Sequence, residues 1–474
     1  MVFNSVTFLI FFLVFFNLYW LINHKLPVVY RNAFTLLSSY VFYGWWDWRF
    51  LSLILISSGA DFAIGWWLGK STGKNTRKLL LVLSIAVNLG ILGYFKYFNF
   101  FIESLNHLLS VLSISVNVKS LSIILPVGIS FYTFQTLSYT IDIYKSKIQP
   151  SHNIFSFFAF VAFFPQLVAG PIERAANLLG QFSERKIFQY HHCVIGLRLI
   201  LWGLFKKIVI ADNFGVLVDH LYSAEFPVSG LSTLLGAFFF SLQIYADFSG
   251  YSDIAIGVAK MLGMDLMRNF AAPYFSASFT EFWHRWHISL STWFRDYVYI
   301  PLGGSRAKKF RVNLNILITF FLSGLWHGAK STFVIWGALH GIVLLIEKWI
   351  KLRISRIVAA PVVYIIVIIL WIPFRAENFQ HLKILMKSIF QFSSYTIENI
   401  YPVIKDFSAL RFLVLMMVVA VFSLVERNLN SVDFSGWIAQ KSRLSRLSFY
   451  YVLVILIILL GNFDVKPYFI YFQF

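Results

Sequence analysis

His327 has the side-chain type and the surroundings that most directly suggest chemistry in this sequence. It lies in the apolar run Phe320-Phe321-Leu322-Ser323-Gly324-Leu325-Trp326-His327-Gly328-Ala329. Histidine is the side chain that ordinarily changes charge near neutral pH, so it can act as a general acid or base. An ionisable group at membrane depth must be paired or hydrated, and by default it indicates a functional site. The alternative is a helix-end histidine that is hydrogen-bonded to a backbone carbonyl.

A second set of reactive side chains lies in the stretch 278–304. Aromatic and aliphatic residues recur there at three- and four-residue spacing, which is typical of one face of a helix: Trp283, Trp286, Leu290, Trp293 and Tyr297. Polar and imidazole side chains form the stripe beside it: Glu281, His284, Arg285, His287, Ser289, Ser291, Thr292, Arg295 and Asp296. The two histidines could in principle bind a metal, but no carboxylate or cysteine stands at a matching spacing, so we expect no zinc site.

The end signals of this stretch predict one continuous helix over 279–300. Ser278 and Glu281 fit a capping box, in which the hydroxyl accepts from the third helical amide. Pro301 and the glycines after it end the helix, and Glu281 and Arg285 are spaced for an i,i+4 ion pair. An amphipathic helix that lies on the cytoplasmic membrane surface would show the same pattern, and this alternative stays open.

Two aspartates, Asp247 and Asp253, flank Ser249 in the run Asp247-Phe248-Ser249-Gly250-Tyr251-Ser252-Asp253 of an apolar segment. Unpaired carboxylates are too costly to be surrounded by lipid. The structural interpretation is an ion pair of each aspartate with an interior lysine or arginine. The functional interpretation is that the aspartates position a catalytic imidazole or contact a polar substrate.

The composition indicates an integral membrane protein. Of the 474 residues 58% are hydrophobic and only 13% are charged, whereas soluble proteins carry about 25% charged residues. The net charge of +19 comes from basic residues in short gaps between apolar runs, as expected for cytoplasmic loops and not for nucleic-acid binding. The single cysteine, Cys193, excludes an internal disulfide and a multi-cysteine metal site.

Apolar segments predict about 11 transmembrane helices together with shorter re-entrant and amphipathic helices in a single domain, 1–474. The segments are 3–23, 32–46, 50–69, 79–101, 121–142, 153–170, 194–211, 231–263, 312–326, 332–347, 357–374, 409–425 and 448–462. We interpret the first as a retained membrane helix and not as a cleaved signal, because it has no small-residue cleavage site.

Prolines and basic loops predict the topology. Pro165, Gly170 and Pro171 break segment 153–170, for which we predict a re-entrant element. Basic loops place the N-terminus outside and the polar loop 375–408 outside. Segments 312–326 and 332–347 then form a hairpin with His327 at its apex, away from the cytosol.

Several of these motifs together resemble the membrane-bound O-acyltransferase (MBOAT) family, in its bacterial branch that acetylates alginate and other polysaccharides. The resembling runs span nearly the whole chain in order: Tyr43-Gly44-Trp45-Trp46-Asp47-Trp48-Arg49, Phe163-Phe164-Pro165-Gln166-Leu167-Val168-Ala169-Gly170-Pro171, the aspartate run 247–253, Phe282-Trp283-His284-Arg285-Trp286-His287-Ile288-Ser289-Leu290-Ser291, Arg295-Asp296-Tyr297, Ser323-Gly324-Leu325-Trp326-His327-Gly328, and Phe469-Ile470-Tyr471-Phe472-Gln473-Phe474. The resemblance implies an all-α polytopic fold in which a ring of helices surrounds a central funnel.

The resemblance also implies the site. It gives His327 the place of the family's catalytic histidine and His287 the second functional position. We expect His327 to act as the base in hydroxyl acetylation, and His287 or the indole N–H of Trp326 to donate to the developing oxyanion. Further side chains are expected to support the site or line the tunnel: Trp326, Trp286, Arg285, Asp247, Ser249, Asp253, Arg295 and Asp296.

The resemblance further implies substrates, partners and location. We expect acetyl-CoA as donor with no permanently bound cofactor or metal, a polysaccharide acceptor, a separate extracytoplasmic SGNH-type transferase as partner, and the bacterial inner membrane as location. Two alternatives remain: a transporter or flippase for lipid-linked saccharides, which would use similar broken helices, and transfer of D-alanine to teichoic acid.

Overall fold

The computed structural model of the chain describes residues 1–114, 118–168, 170–223, 228–350, 354–396, 407–463 and 470. Over these residues the regular structure is helical throughout. Of the C-terminal motif 469–474, only Ile470 is among the described residues. The all-α fold class is therefore confirmed.

Twenty-one α-helices follow one another in the described residues. They are α1 Val6–Lys25, α2 Val28–Asp47, α3 Leu51–Lys70, α4 Lys74–Leu92, α5 Phe98–Val111, α6 Ile129–Tyr144, α7 Ile154–Ala162, α8 Phe164–Leu167, α9 Ala175–Leu178, α10 Tyr190–Leu204, α11 Asp212–Leu221, α12 Gly230–Met261, α13 Phe279–Arg285, α14 Ile288–Phe294, α15 Lys309–His327, α16 Ser331–Ile350, α17 Arg356–Arg375, α18 Phe379–Ile389, α19 Ala409–Asn428, α20 Phe434–Ala439 and α21 Arg443–Leu460. One compact unit comprises Met1–Val194 and Val258–Met267, and a second comprises Ile195–Gly257 and Arg268–Phe474.

Eight helical stretches among the described residues are long and apolar enough to cross a membrane. Two of them, Val28–Lys70 and Lys74–Val111, each include two α-helices. At about 1.5 Å per residue, a 43-residue stretch exceeds one hydrocarbon thickness of about 30 Å. The chain is thus a multi-pass membrane protein, whereas the predicted topology of its N-terminus stays a prediction.

The helix over 153–170 is broken where the prolines predict it. α7 ends at Ala162, and the four-residue helix α8 follows after Phe163. Neighbouring side chains satisfy the backbone groups that the break frees: Ser39 Oγ accepts from the N–H of Phe164 at 3.2 Å, and Gln166 Nε2 donates to the Phe160 carbonyl at 2.7 Å. Irregular backbone at membrane depth requires such internal partners, so the contacts agree with the re-entrant element that we predict.

The polar stretch 375–408 is not only a loop. It contains α18, Phe379–Ile389, whose N-terminus is capped by Asn378 through a hydrogen bond from the N–H of His381 at 2.9 Å. One face of α18 is apolar and buries Leu382 and Leu385, a pattern that the charged residues around it obscured. Residues 397–406 of this stretch lie outside the described residues.

Candidate active site

The hairpin predicted for segments 312–326 and 332–347 is present as α15 and α16. Glycines lie where the two helices approach most closely: a methyl group on Gly324 would collide with the Phe333 carbonyl oxygen, and one on Gly337 with the carbonyl of Phe320. Small residues allow membrane helices to approach closely. Gly324 lies one turn before His327, so this approach fixes the end of α15 that carries the imidazole.

His327 is the last residue of α15, and only 3% of it is exposed. Aromatic rings surround it: Trp326 and Trp336 have their ring centres 5.0 Å away, and Phe374 5.4 Å away. The ring centre of His287 lies at 6.4 Å. The structure thus brings the two histidines that the motifs singled out into one aromatic pocket, together with Trp326.

The prediction of one helix over 279–300 is wrong. The stretch forms α13 and α14, followed by a π-helical turn over Arg295–Tyr299. His287 lies between α13 and α14 in the left-handed region, with φ 43° and ψ 55°, a conformation that is uncommon for residues other than glycine. Because of the break, His287 does not lie at helical spacing from the other polar residues of 279–300, as the predicted polar stripe required.

The physical reason for the break is a neighbouring backbone segment. The N–H of Ile288 donates to the carbonyl of Asn269 at 2.9 Å, and the N–H of Ala271 donates to the carbonyl of Arg285 at 3.0 Å. These bonds occupy backbone groups that a continuous helix would use internally. Tertiary pairing therefore overrides the helical periodicity of the sequence.

His287 is fully buried and bonds to Asn269, a residue that the sequence reasoning missed. The Nδ1 atom of His287 lies 3.1 Å from Oδ1 of Asn269, which also accepts from the Ser289 hydroxyl at 2.8 Å. His287 lies outside the eight candidate membrane stretches, and burial lowers the pKa of its imidazole to about 3. The imidazole is therefore neutral at physiological pH.

The N-cap predicted at Ser278 and the Glu281–Arg285 ion pair are confirmed, but the carboxylate of the capping box bonds to another backbone N–H than that of the N-cap residue. Ser278 Oγ accepts from the N–H of Glu281 at 3.0 Å, whereas the Glu281 carboxylate accepts from the N–H of Ala277 at 2.6 Å. Glu281 also pairs with Arg285 and with Arg356. Desolvation acts in the opposite direction, but the hydrogen bonds from Ala277 and Arg356 and the nearby Arg285 hold the pKa of Glu281 below its ordinary value. Arg285, the last residue of α13, thus belongs to an ion-pair cluster with Glu281 and Arg356.

The two aspartates follow the structural interpretation. Asp247 pairs with Lys207 at 2.8 Å, and Asp253 pairs with Lys206 at 2.5 Å. A π-helical turn over Phe205–Ala211 buries both lysines. Asp247 also accepts from the backbone N–H of Ile470 at 2.7 Å.

Between the two aspartates, Phe248 contacts the histidine pocket directly, whereas the aspartates pair with lysines. Phe248 packs edge-on against the ring of His287, with ring centres 4.6 Å apart. Ser249 is buried, and its hydroxyl has no hydrogen-bond partner within the described part of the chain.

A cavity of about 390 Å³ lies between α13, α14, α15 and α16. Trp283, Ile288, Leu290, Phe294, Ile316, Phe320 and Leu344 form its apolar lining, and Thr280, His284, Ser291, Thr292, Arg295, Tyr299, Thr319, Ser323 and Lys348 form its polar lining. Ser323 lies one turn before His327, and Ile288 follows His287 directly. The cavity therefore adjoins the backbone on which both histidines are held.

Other predicted site residues take supporting positions. Arg295 lines the cavity and pairs with Asp296 at 2.7 Å. Trp286 is buried and packs against Trp371 with ring centres 5.0 Å apart, and Trp371 in turn stacks on Trp336. Among the described residues, no group of three histidine, cysteine or acidic side chains is placed to hold a metal ion.

Comparison with known proteins identifies the class to which this fold and site belong. Residues 145–373 match the model of the MBOAT, membrane-bound O-acyltransferase, family. A probable alginate O-acetylase AlgI of Pseudomonas aeruginosa is 42% identical over 84% of this chain and 77% of its own length. The chain therefore belongs to the membrane-bound O-acyltransferase family and is an O-acyltransferase.

Two further relatives show the range of the family. The peptidoglycan O-acetyltransferase of Helicobacter pylori is 32% identical over 75% of this chain and 73% of its own length. The teichoic acid D-alanyltransferase of Bacillus subtilis is 28% identical over 47% of this chain and 60% of its own length. The similarity is thus higher and more extensive to the O-acetyl relatives than to this D-alanyl relative.

Proposed function

We propose that this chain transfers an acetyl group from cytosolic acetyl-CoA, across the bacterial inner membrane, for O-acetylation of an extracytoplasmic polysaccharide. The observation that carries the proposal is the pair of buried imidazoles, His287 and His327, whose near neighbours in the chain, Ile288 and Ser323, line a cavity that also contains basic residues. The membrane-bound O-acyltransferase family and the named relatives support acyl transfer to a polysaccharide.

The chemistry requires a proton acceptor and a hydrogen-bond donor. His327 takes the proton of the acceptor hydroxyl while its oxygen attacks the thioester carbonyl carbon. A donor such as the indole N–H of Trp326 stabilises the charge on the carbonyl oxygen. The carbon–sulfur bond then breaks, the thiolate takes the proton from the imidazolium, and an ester and free coenzyme A are formed.

The spacing of the two rings suits this step. Because ring nitrogens bond at about 3 Å, two imidazoles that were bonded directly would have centres about 5 Å apart. The observed 6.4 Å is longer, and a single oxygen atom between the two rings would match it. We propose that the acceptor hydroxyl occupies this place.

The cavity suits a thioester donor. Its aromatic and aliphatic lining fits the slender pantetheine arm of coenzyme A, and Lys348 and the guanidinium of Arg295 are the cationic groups available for its phosphates. Lys348 is exposed and directly follows the hairpin segment 332–347, whose end opposite the His327 apex is predicted to face the cytosol, the side from which acetyl-CoA arrives.

The acceptor polymer and the partner extend the proposal. Identity of 42% to the alginate relative against 32% to the peptidoglycan relative favours an alginate-like polysaccharide. A separate extracytoplasmic SGNH-type transferase then attaches the acetyl group to the polymer. In that case the immediate acceptor is a hydroxyl of the partner protein.

The test measures coenzyme A release and acetyl ester formation by the purified chain in lipid vesicles, with radiolabelled acetyl-CoA, the SGNH-type partner and candidate glycans. We expect His327→Ala to abolish both products, while His24→Ala, which removes an exposed imidazole, retains them. Acetyl transfer by His327→Ala at normal protein yield would overturn the proposal.

The same assay separates the alternatives. A transporter would move lipid-linked saccharide without releasing coenzyme A and would tolerate the loss of His327. A D-alanyl transferase would accept D-alanine from a carrier protein and leave acetyl-CoA intact.

A further inference from the structure

Asn269 is held directly beside His287 by backbone pairing. The Asn269 carbonyl accepts from the N–H of Ile288, and two residues on, Ala271 donates to the carbonyl of Arg285. The Asn269 side chain is fully buried. Both its backbone and its amide are therefore fixed relative to the imidazole.

The hydrogen bonds of the Asn269 amide determine which of its atoms faces His287. The N–H and the hydroxyl of Ser289 lie 3.4 and 2.8 Å from Oδ1, and Nδ2 donates to the Ser252 hydroxyl at 3.1 Å. A backbone N–H can only donate, so the atom that faces Ser289 must be the carbonyl oxygen. That oxygen can only accept, and its bond to His287 Nδ1 requires a proton on Nδ1.

We infer that Asn269 is a positioning residue that holds neutral His287 as the Nδ1–H tautomer and presents Nε2 as a proton acceptor. A neutral imidazole has one donor and one acceptor nitrogen. The hydrogen bond that one nitrogen donates therefore determines that the other nitrogen is the acceptor. Nε2 of His287 is buried and makes no hydrogen bond within the described part of the chain.

The tautomer of His287 changes the roles expected for His287 and Trp326 in acyl transfer. This catalytic consequence rests on the proposed function. Neutral His287 cannot donate to the oxyanion through Nε2, so that role passes to the indole N–H of Trp326, whose ring centre lies 5.8 Å from that of His287. Nε2 of His287 can accept a hydrogen bond from the acceptor hydroxyl before the attack, whereas His327 takes the proton in the reaction. The proton then ends on the leaving thiolate.

The tautomer is measured without acyl transfer, by solid-state nitrogen-15 NMR of histidine-labelled protein in lipid bilayers. The signals of His287 are assigned by their loss in His287→Gln. We expect a protonated Nδ1 and an unprotonated Nε2 at pH 7, and a mixture of tautomers in Asn269→Ala. A protonated Nε2 in the unsubstituted protein, or an unchanged tautomer in Asn269→Ala, would overturn the inference.

Two further variants separate positioning from folding. The nearly isosteric Asn269→Asp places a carboxylate against Nδ1, so the imidazolium of His287 should appear at a higher pH than in the unsubstituted protein. Asn213→Ala removes another buried amide, which bonds to backbone carbonyls at 2.8 and 2.9 Å, and should leave the tautomer of His287 unchanged. A shifted tautomer in Asn213→Ala would show a general packing effect and contradict the inference.

Kinetics then connect the tautomer to the proposed reaction. We expect Asn269→Ala to lower kcat about 10- to 100-fold, the range known for residues that orient metal-bound histidines, with the KM for acetyl-CoA within about twofold because Asn269 does not line the cavity. An unchanged kcat together with the shifted tautomer would overturn the catalytic part of the inference. Absence of acetyl transfer by the unsubstituted protein, with the tautomer as inferred, would instead refute the proposed function.

Discussion

Phe248 packs edge-on against the ring of His287, with the ring centres 4.6 Å apart and the planes at 87°. It stands one residue after Asp247 and five before Asp253 on α12. The ion pairs of the two aspartates hold this turn of α12 against the lysines of the π-helical turn. The run 247–253 therefore contributes to the site through the ring of Phe248, and the ion pairs of Asp247 and Asp253 hold that ring in place.

Removing one partner of the Lys206–Asp253 pair should destabilise the fold. Lys206 is 3% exposed and Asp253 24% exposed at the side chain, so either Lys206→Met or Asp253→Asn leaves a largely buried charge without its direct ion-pair partner. We expect each to cost about 3 kcal/mol, and the double variant to cost less than the sum by about 1–3 kcal/mol. Thermal unfolding in detergent measures this, with the pair Arg49–Asp47, whose arginine side chain is 61% exposed, as the control cycle. Strict additivity at Lys206 and Asp253 would contradict the structural role.

The two histidines should behave as one unit in catalysis. If one group bridges both rings, removal of either imidazole disrupts the same step, and the second removal adds little. We therefore expect His287→Ala, His327→Ala and the double variant to lower kcat to a similar residual level. Coenzyme A release in vesicles is the measurement. Losses that multiply in the double variant would show that the histidines act in separate steps.

Local sequence signals predicted the parts of the site that depend on near neighbours. The cap at Ser278, the Glu281–Arg285 pair and the α15–α16 hairpin all involve residues close in sequence, whose geometry follows from helical spacing. The broken backbone after Ala162 also follows from a local cause, the proline that cannot continue a helix.

Partners distant in sequence could not be predicted in this way. Asn269 lies 18 residues before His287, and nothing in the helical periodicity of 279–300 indicates that a separate segment pairs with its backbone. The sequence also did not indicate which lysines pair with the aspartates. Lys206 and Lys207 are consecutive residues, and both are buried because they lie in a π-helical turn. Such turns change the register by one residue, and the sequence carries no simple signal for them.

The charge of Lys348 should govern donor binding and leave the chemistry unchanged. We expect Lys348→Glu to raise the KM for acetyl-CoA on the order of fivefold, the equivalent of about 1 kcal/mol for an exposed charge, with kcat nearly unchanged. Lys441→Glu makes the same change at an exposed position outside the cavity. Initial rates at low and high salt measure the effect, which should fade as salt screens it. Equal KM values for the two variants would contradict a donor site in the cavity.

Glu173 should make the stability of the protein depend on pH. Its carboxylate is buried outside the candidate membrane stretches and accepts from the N–H of Met267 and from Asn177. Desolvation raises the pKa of Glu173 from 4.5 to about 7, although these hydrogen bonds act in the opposite direction. Because the folded-state pKa is the higher one, this contribution to stability is fully present below about pH 4.5 and is lost as the pH rises through about 7. Glu173→Gln cannot ionise, so its Tm relative to the unsubstituted protein should rise between pH 5 and pH 8. The exposed Glu184→Gln should show no such trend, and parallel Tm curves for Glu173→Gln and the unsubstituted protein would refute the assignment.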